Sequence, residues 1–295
     1  MNPDLPRISV ITPSFNQAPF LETTMLSVLG QCYPNLEYIV MDGGSTDGSA
    51  EIIRRHESAL AFWISEKDGG QAAAINAAFA RATGDILCWL NSDDFFLPGT
   101  LHRVAQTLGT GGGGPDLVYG ACLFFSDEGR SAKVVRPQSH DPAALRQTAY
   151  IIQPSSFWTR RLWAKTGPLD EALAYAFDWD WFLRATAHGQ FALCPEILSA
   201  YRHHAAHKSG SGGAKRREEI LAVVRRHGTP ADLACYEFAL RNLAALERRA
   251  ELAGRVCGMA GRAARFFAQT LVPRLWKLPH QVESATLERA RGMLG

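Results

Sequence analysis

The N-terminal third of the sequence alternates between short apolar runs and longer stretches in which apolar side chains have helical spacing. The apolar runs predict four buried strands, at residues 8–12, 36–41, 62–65 and 86–90. The stretches between them predict three helices, at residues 21–29, 50–56 and 71–82. Strands that alternate with helices predict an α/β fold with a mostly parallel sheet, covered by helices on both faces.

Beyond the fourth strand the predicted elements are more widely spaced. Short strands are predicted at residues 117–119, 123–125, 133–135 and 197–202, and a helix at residues 179–188. From residue 215 onward the pattern is helical, with breaks at Pro230, Pro273 and Pro279. The glycine-rich run at residues 109–114 lacks the lysine and hydroxyl residue of a P-loop, so we interpret it as a flexible connection.

The composition excludes several classes of protein. With 46% hydrophobic and 20% charged residues, the chain is neither disordered nor fibrous. Its net charge of +2 lacks the strong basic excess of a dedicated nucleic-acid binder. The six cysteines form no CxxC pair, and no apolar run is long enough for a signal peptide or a membrane span. These features predict a reduced cytoplasmic protein.

Charge divides the chain unevenly. Residues 215–295 carry 15 basic and 8 acidic side chains, a net charge of +7, whereas residues 1–214 carry −5. We therefore predict a catalytic domain at residues 1–212 and a basic helical extension at residues 213–295. Residues 255–272 form an amphipathic helical pattern, which leaves two alternatives: peripheral contact with the inner face of the cytoplasmic membrane, or packing on the domain or in a homodimer.

The most informative polar cluster directly follows the fourth predicted strand and contains Asn91, Asp93 and Asp94. Two adjacent carboxylates repel each other and require a cation or hydrogen-bond donors. Oxygen ligands of this type suit Mg²⁺ or Mn²⁺, which would in turn hold phosphate oxygens. One acid can instead cap the next helix, but two acids beside an asparagine favour the metal interpretation.

Similar clusters follow the second and third predicted strands. Asp42 and Gly43 open the segment DGGSTDG, where a glycine permits close backbone approach and a carboxylate can bond a base or ribose. Asp68 lies in the segment EKDGGQ at the same sheet edge. In both cases the alternative is a strand-to-helix turn in which an acid or a serine caps the helix.

Two further clusters come from the second half of the sequence. Asp178 and Asp180 open a predicted helix beside aromatic residues, a setting that suits a general base, although acids are also favoured in any first helical turn. Arg202, His204 and Lys208 precede a Gly/Ser-rich stretch and could close over a phosphate group. A solvated basic loop is the alternative for this second cluster.

Taken in order, these motifs resemble those of the family 2 inverting glycosyltransferases of the GT-A fold. The resemblance extends from residue 8 to about residue 208 and rests on the segments SVITPSFNQAPFLETTMLSVLGQCYPNLEYIVMDGGSTDGS, EKDGGQAAAINAAF, GDILCWLNSDDFFLPGTL and FDWDWFLRATAHG. It implies a Rossmann-like GT-A domain, a divalent cation bound at a DxD element, and a nucleoside-diphosphate sugar as donor. A C-terminal helical segment follows that domain here.

The resemblance also assigns roles on the donor side. Residues that would shape the nucleotide site or contact the nucleoside are Pro13, Ser14, Asn16, Asp42, Gly43 and Asp68. Residues that would contact the diphosphate are Arg202, His204 and Lys208.

The resemblance places the metal and the base in the other two motifs. Asp93 would bind the cation, with Asp94 beside it as a second ligand or a contact to the donor sugar. Asn91 stands where the family's first DxD acid faces the ribose or the metal. Asp178 would be the general base, with Asp180 as the second candidate, and Phe177 replaces the glutamate that usually precedes the base.

The implied reaction is a single in-line displacement that inverts the anomeric carbon. The expected partners are a UDP-, dTDP- or GDP-sugar donor and a glycan or lipid-linked acceptor, in cell-surface polysaccharide or glycolipid assembly. Two alternatives stay open: a sugar nucleotidyltransferase, which should carry a glycine-rich basic loop after the first strand, and a non-catalytic sugar-nucleotide-binding module.

Overall fold

The computed structural model describes residues 5–109, 113–126, 132–204, 207–208 and 212–242. The chain divides into two compact units. The larger unit comprises Met1–Asp141 and Tyr150–Ser211, and the smaller comprises Pro142–Ala149 and Gly212–Gly295. The expected division into a catalytic domain and an extension at residue 212 stays a prediction.

The larger unit is built on one sheet. Its strands are β1 (Ile8–Ser14), β2 (Leu36–Asp42), β3 (Phe62–Ser65), β4 (Ile86–Trp89), β5 (Phe95–Phe96), β6 (Leu117–Ser126), β7 (Ala132–Val135), β8 (Ser156–Thr159) and β9 (Phe191–His203). Its helices are α1 (Ala18–Leu29), α2 (Ser49–Arg55), α3 (Gln71–Arg81), α4 (Thr100–Leu108), α6 (Arg160–Thr166) and α7 (Phe177–Ala185). Between α4 and α6, α5 (Pro142–Gln147) belongs to the smaller unit.

The strand order is β3-β2-β1-β4-β8-β6-β9-β5, with β7 beside β6. The first four strands in this order are parallel to one another. β8 is antiparallel to both of its neighbours, and β9 is parallel to β6. The α/β prediction is therefore confirmed: β1 to β4 are parallel, and the rest of the sheet is mixed.

The apolar pattern of the N-terminal third explains how these strands are packed. Every residue of β1 is buried, and Leu21, Met25 and Val28 of α1 share the core on one side of it. A strand covered on both faces needs this continuous apolar character. The register aligns Ser14 with Asp42, and Asp42 with Ser65, so the carboxyl ends of β1, β2 and β3 are level.

The sequence pattern missed part of the second half of the sheet. β6 is one ten-residue strand, where two short strands were predicted. β8 and α6 were not predicted, although β8 lies between β4 and β6 in the sheet. At Gly120 a Cβ atom would lie 2.7 Å from the Leu198 side chain, and the β6–β9 register shifts beside it. The glycine therefore permits close packing within a continuous strand.

The smaller unit contains α5, α8 (Gly213–His227) and a helical segment at residues 230–242. Ile220, Val223 and Val224 form the buried side of α8. The Tyr236 hydroxyl donates to the Gln147 carbonyl at 2.7 Å. Across the described part of the chain, no helix has the length and apolarity needed to cross a bilayer. The amphipathic pattern at residues 255–272 lies outside the described residues.

Candidate active site

A cleft of about 660 Å³ opens beyond the carboxyl ends of the four parallel strands. Each of the connections that follow these strands contributes to its wall, through residues that include Pro13, Ser14, Gly43, Asp68, Asn91 and Asp93. The second half of the larger unit contributes further lining residues, which include Gln153, Tyr175, Asp178, Tyr201 and Lys208. The predicted clusters at this sheet edge therefore meet in one cleft.

The connection after β1 is tied to the connection after β2. Asn16 has a left-handed backbone (φ 53°), which asparagine tolerates better than most residues. Its amide N–H donates to the Ser45 hydroxyl at 2.8 Å, and its Oδ1 accepts from the Thr46 N–H at 3.0 Å. Asn16 thus shapes the loop that follows β1 without lining the cleft. The Ser14 hydroxyl lines the cleft and is buried with no hydrogen-bond partner.

Asp42 is buried and does not line the cleft. Its Oδ2 accepts from the Ser45 N–H at 2.9 Å and from the Ser65 hydroxyl at 2.6 Å. Its Oδ1 accepts from the Ser45 hydroxyl at 2.5 Å. The carboxylate is therefore used to fix the turn that presents Gly43.

Gly43 forms the floor of a narrow slot. A Cβ atom at this position would lie 3.1 Å from Asp68 Oδ2 and 3.3 Å from the Phe15 ring. Asp68 Oδ1 accepts from the Gly70 N–H at 2.7 Å, which fixes the carboxylate above the glycine. Phe15 is 61% exposed, so one apolar ring face is available beside a carboxylate. Phe15 was not singled out from the sequence.

The Asp93 side chain contacts the His204 side chain. Asp93 Oδ2 and His204 Nε2 are 3.1 Å apart, although the residues are 111 positions apart in sequence. The His204 ring packs on Phe20 with centroids 4.4 Å apart. Arg202 Nε donates to the Asp93 carbonyl at 3.0 Å, and its guanidinium lies 4.9 Å from the Phe20 ring centroid. Arg202 therefore holds the backbone that carries Asp93.

Asp94 lies beneath this pair and does not line the cleft. Its Oδ1 accepts from the Arg202 N–H at 3.0 Å, whereas Oδ2 is buried without a hydrogen-bond partner. Burial, followed by the charge of Asp93, raises the pKa of Asp94 well above its ordinary range. No group of three or more His, Cys, Asp or Glu side chains positioned for a metal occurs among the residues described.

Asn91 lies between two glutamines that the sequence did not single out. Gln71 Nε2 donates to Asn91 Oδ1 at 2.8 Å, and Asn91 Nδ2 donates to Gln153 Oε1 at 3.3 Å. Gln71 opens α3, so its position at the sheet edge followed from the helix prediction. Gln153 comes from a 3₁₀ turn that no sequence pattern had indicated.

The two candidate bases occupy different environments. Asp178 is partly buried and lines the cleft, and its Oδ1 accepts from the Trp179 N–H at 2.7 Å. Asp180 is fully buried away from the cleft, and its Oδ2 lies 2.9 Å from Nε of Arg184. Arg184 also donates to the carbonyl of Thr166 at 2.7 Å. Of the two carboxylates, Asp178 alone is among the cleft-lining residues.

Lys208 completes the cleft from the basic segment that follows β9. Its ammonium donates to Gln71 Oε1 at 2.7 Å. It also lies 5.7 Å from the Tyr175 ring centroid and 5.6 Å from that of Phe177. Of the three basic residues predicted here, Lys208 lines the cleft, whereas Arg202 and His204 are not among the lining residues and contact Asp93.

The arrangement separates three chemical functions along one cleft. The slot of Phe15, Gly43 and Asp68 suits a planar ring with a hydrogen-bond donor on its edge. Asp93 and Lys208 offer groups of opposite charge to a cation and an anion. Asp178 lines the same cleft and carries a carboxylate that can accept a proton.

A family model described as "Glycosyl transferase family 2" matches residues 9–166. An uncharacterized glycosyltransferase of Mycobacterium tuberculosis is 35% identical over 186 residues, which cover 61% of this chain and 69% of the relative. A Bacillus subtilis protein, TuaG, whose name refers to a teichuronic acid biosynthesis glycosyltransferase, is 40% identical over 92 residues, which cover 30% and 36% of the two chains.

Two solved structures share the fold. The Staphylococcus aureus TarS fragment 1–349, in complex with UDP-GlcNAc, has a TM-score of 0.61 at 19% identity. The match covers 75% of this chain but 65% of the other, just under two thirds of its length. The mannosyltransferase PcManGT of Pyrobaculum calidifontis, in complex with GDP-Man and Mn²⁺, has a TM-score of 0.62 at 20% identity, covering 98% and 87%.

Proposed function

The chain belongs to glycosyl transferase family 2 and is a glycosyltransferase, and from this premise we propose that it transfers a sugar from a nucleoside-diphosphate donor to an acceptor hydroxyl with inversion. The observation that carries the proposal is that Asp93 and Asp178 line one cleft with the slot at Gly43. The ligands named for TarS and PcManGT, UDP-GlcNAc and GDP-Man, support a sugar nucleotide as donor.

The nucleoside occupies the slot at Gly43. The exposed Phe15 ring provides a stacking face, and the fixed Asp68 carboxylate accepts hydrogen bonds from the base or ribose. Pro13, Ser14 and Asn16 shape the adjoining loop, in which the Asn16 side chain accepts from the Thr46 N–H. Asp42 acts through the turn it fixes, because its oxygens are already bonded to Ser45 and Ser65.

The residues around Asp93 fit a divalent cation. The Asp93 carboxylate and the His204 imidazole approach to 3.1 Å, and both are good ligands for Mn²⁺. Asp94 follows Asp93 directly, and its buried Oδ2 has no hydrogen-bond partner among the described residues. Mg²⁺ and Mn²⁺ sites in phosphate-handling enzymes use one or two protein ligands and complete their coordination with substrate oxygens. A bound cation would neutralise the charge that grows on the leaving nucleoside diphosphate.

The chain's own residues divide the rest of the reaction. Asp178 accepts the proton of the acceptor hydroxyl as that oxygen attacks the anomeric carbon from the face opposite the diphosphate. Lys208 places its ammonium on the diphosphate side, where it stabilises the departing charge. Because one displacement occurs, the anomeric configuration inverts. Asp180 has a stabilising role, through its ion pair with Arg184 within α7.

We assign the acceptor to a glycan or lipid-linked glycan of the cell surface. The support is the similarity to TuaG and the aromatic residues that line the cleft, which include Phe124, Tyr175 and Phe177. Aromatic rings are suited to the apolar faces of sugars. A cytoplasmic location, with peripheral membrane contact through the basic residues 215–295, is part of this proposal.

The experiment that tests the proposal is calorimetry with UDP, GDP, dTDP and CMP, each with and without Mn²⁺. We expect one diphosphate to bind, and to bind more tightly with Mn²⁺. Transfer from the corresponding sugar nucleotide to a crude glycolipid extract should then release that diphosphate, with an inverted product linkage by NMR. Failure of all four nucleotides to bind would refute the proposal. Binding without transfer or donor hydrolysis would favour a non-catalytic binding module.

A further inference from the structure

Four hydrogen bonds run head to tail across the cleft, from the ammonium of Lys208 to the floor of the sheet. Lys208 Nζ donates to Gln71 Oε1 at 2.7 Å, and Gln71 Nε2 donates to Asn91 Oδ1 at 2.8 Å. Asn91 Nδ2 donates to Gln153 Oε1 at 3.3 Å, and Gln153 Nε2 donates to the carbonyl of Trp89 at 2.7 Å. Each amide in this series accepts at one end and donates at the other.

The last hydrogen bond, from Gln153 to the Trp89 carbonyl, determines which way every amide in the series donates. The Trp89 carbonyl at the end of β4 can only accept, so Gln153 must turn its NH₂ group toward it. Gln153 is buried, and its amide oxygen is then directed at residue 91. Residue 91 must therefore donate. An asparagine does so, whereas an ionised aspartate has no hydrogen to offer.

The surroundings of Asn91 give a second reason for an amide at this position. Asp93 and the buried Asp94 already lie beside it. A carboxylate at position 91 would add a third carboxyl group in the same place. It would also face the oxygen of Gln153 without a hydrogen between them.

We infer that Gln71 and Gln153 are positioning residues, which with the Asn91 amide hold the ammonium of Lys208 at the diphosphate side of the donor site. This inference rests on the proposed function, and it also explains why position 91 is an asparagine and not an aspartate. The asparagine is required by the hydrogen-bond series, so a carboxylate at position 91 impairs donor binding. Hydrogen bonds arranged head to tail polarise one another, so a substitution at Gln153 should weaken the hydrogen bond that holds Lys208.

The first test measures binding of UDP and of GDP to the full chain by calorimetry, with Mn²⁺ present. Asn91→Asp should weaken binding of the nucleotide that the wild type prefers by roughly tenfold or more, since an unpaired buried polar group is left in the site. Gln106→Glu, the same change of amide to acid on the exposed side of α4, is the control and should bind as the wild type does. Equal or tighter binding by Asn91→Asp would overturn the inference.

The second test is a double-mutant cycle between the two ends of the series. Gln153→Met and Lys208→Met remove groups that are separated by Gln71 and Asn91. If the series acts as a unit, the loss of affinity in the double variant should be at least about threefold smaller than the product of the two single losses. Losses that multiply within about twofold would show that the two side chains act separately.

A third measurement needs no ligand and separates this inference from the proposed function. Asn91→Asp should lower the thermal unfolding midpoint of the full chain, and it should do so much less in a Gln153→Met background, where the two facing oxygens no longer meet. An equal loss in both backgrounds would refute the hydrogen-bond series. If neither nucleotide bound the wild type while this unfolding difference persisted, the proposed donor site would fail and the series would stand.

Discussion

The two acids that open α7 should respond in opposite ways to the loss of their charge. Asp178 lines the cleft, whereas Asp180 is buried against Arg184. We therefore expect Asp178→Asn to remove turnover with little loss of stability, and Asp180→Asn to remove stability with little loss of turnover per folded molecule. Both variants replace a carboxylate by an amide of the same size.

The magnitudes follow from the surroundings of each side chain. Breaking a fully buried ion pair from one side costs about 3–5 kcal/mol. The Arg184 side chain is 26% exposed, so water recovers part of this and we expect about 2–3 kcal/mol for Asp180→Asn. That loss lowers the unfolding midpoint by roughly 5–10 °C. Removing a general base costs about 100- to 10,000-fold in rate. In Asp178→Asn the new amide oxygen can still accept from the Trp179 N–H, which preserves the first turn of α7.

The assay pairs thermal unfolding followed by circular dichroism with release of nucleoside diphosphate from UDP-GlcNAc and from GDP-mannose. Turnover is divided by the folded fraction at the assay temperature. A stable Asp180→Asn variant without turnover, beside an active Asp178→Asn variant, would refute the assignment of the base.

Three further perturbations test other parts of the larger unit. Asp93→Asn should weaken Mn²⁺-dependent nucleotide binding by roughly 10- to 150-fold, the equivalent of a charge-assisted contact of about 1.5–3 kcal/mol, and calorimetry with equal affinities in both proteins would contradict this. Gly43→Ala places a methyl group in the nucleoside slot and should lower nucleotide affinity at unchanged stability, whereas Gly113→Ala, with nothing within 4 Å of the added carbon, should change neither. Burial lowers the pKa of His140 below its ordinary value of 6.5, so the unfolded chain binds the proton more readily and stability should fall as pH falls through 6.5. His140→Phe keeps the stacking on Phe191 and should reduce that pH dependence in urea unfolding between about pH 5 and 8. An unchanged slope would show that another group is responsible.

The sequence was most informative in its N-terminal third, where the apolar runs predicted the strands and also the sheet edge at which the following acids lie. The strands predicted at residues 8–12 and 36–41 agree with β1 and β2, because strands covered on both faces must be continuously apolar. The acids that follow such strands could be placed at one edge of the sheet from the order of strands and helices alone. Asp68, Asp93 and Asp178 do line one cleft, although their roles stay predictions.

What the sequence could not show depends on partners that are distant along the chain. Gln153 lies 62 residues from Asn91 along the chain, in a segment with no clear periodicity. Its contact with Asn91 depends on the strand order of the folded sheet, which the local pattern does not show. Both Asp178 and Asp180 fitted the sequence motif for a general base. The Asp180 side chain is held by Arg184, one helical turn away, and this contact could not be foreseen from the motif. The order of strands and helices in the sequence predicts the sheet edge at which a residue lies. Contacts with residues distant in sequence decide whether its side chain faces the cleft.

The pairing of Asp93 with His204 joins the start and the end of the larger unit, because the histidine is carried there by the last strand of the sheet. During synthesis, the strands that frame the nucleoside slot leave the ribosome well before β9 does. A nascent chain could thus form the slot early, but the imidazole and the lysine arrive only when β9 has paired with β6. If the proposed cation site is correct, cation affinity should therefore report complete folding, and a chain truncated before β9 should lack it.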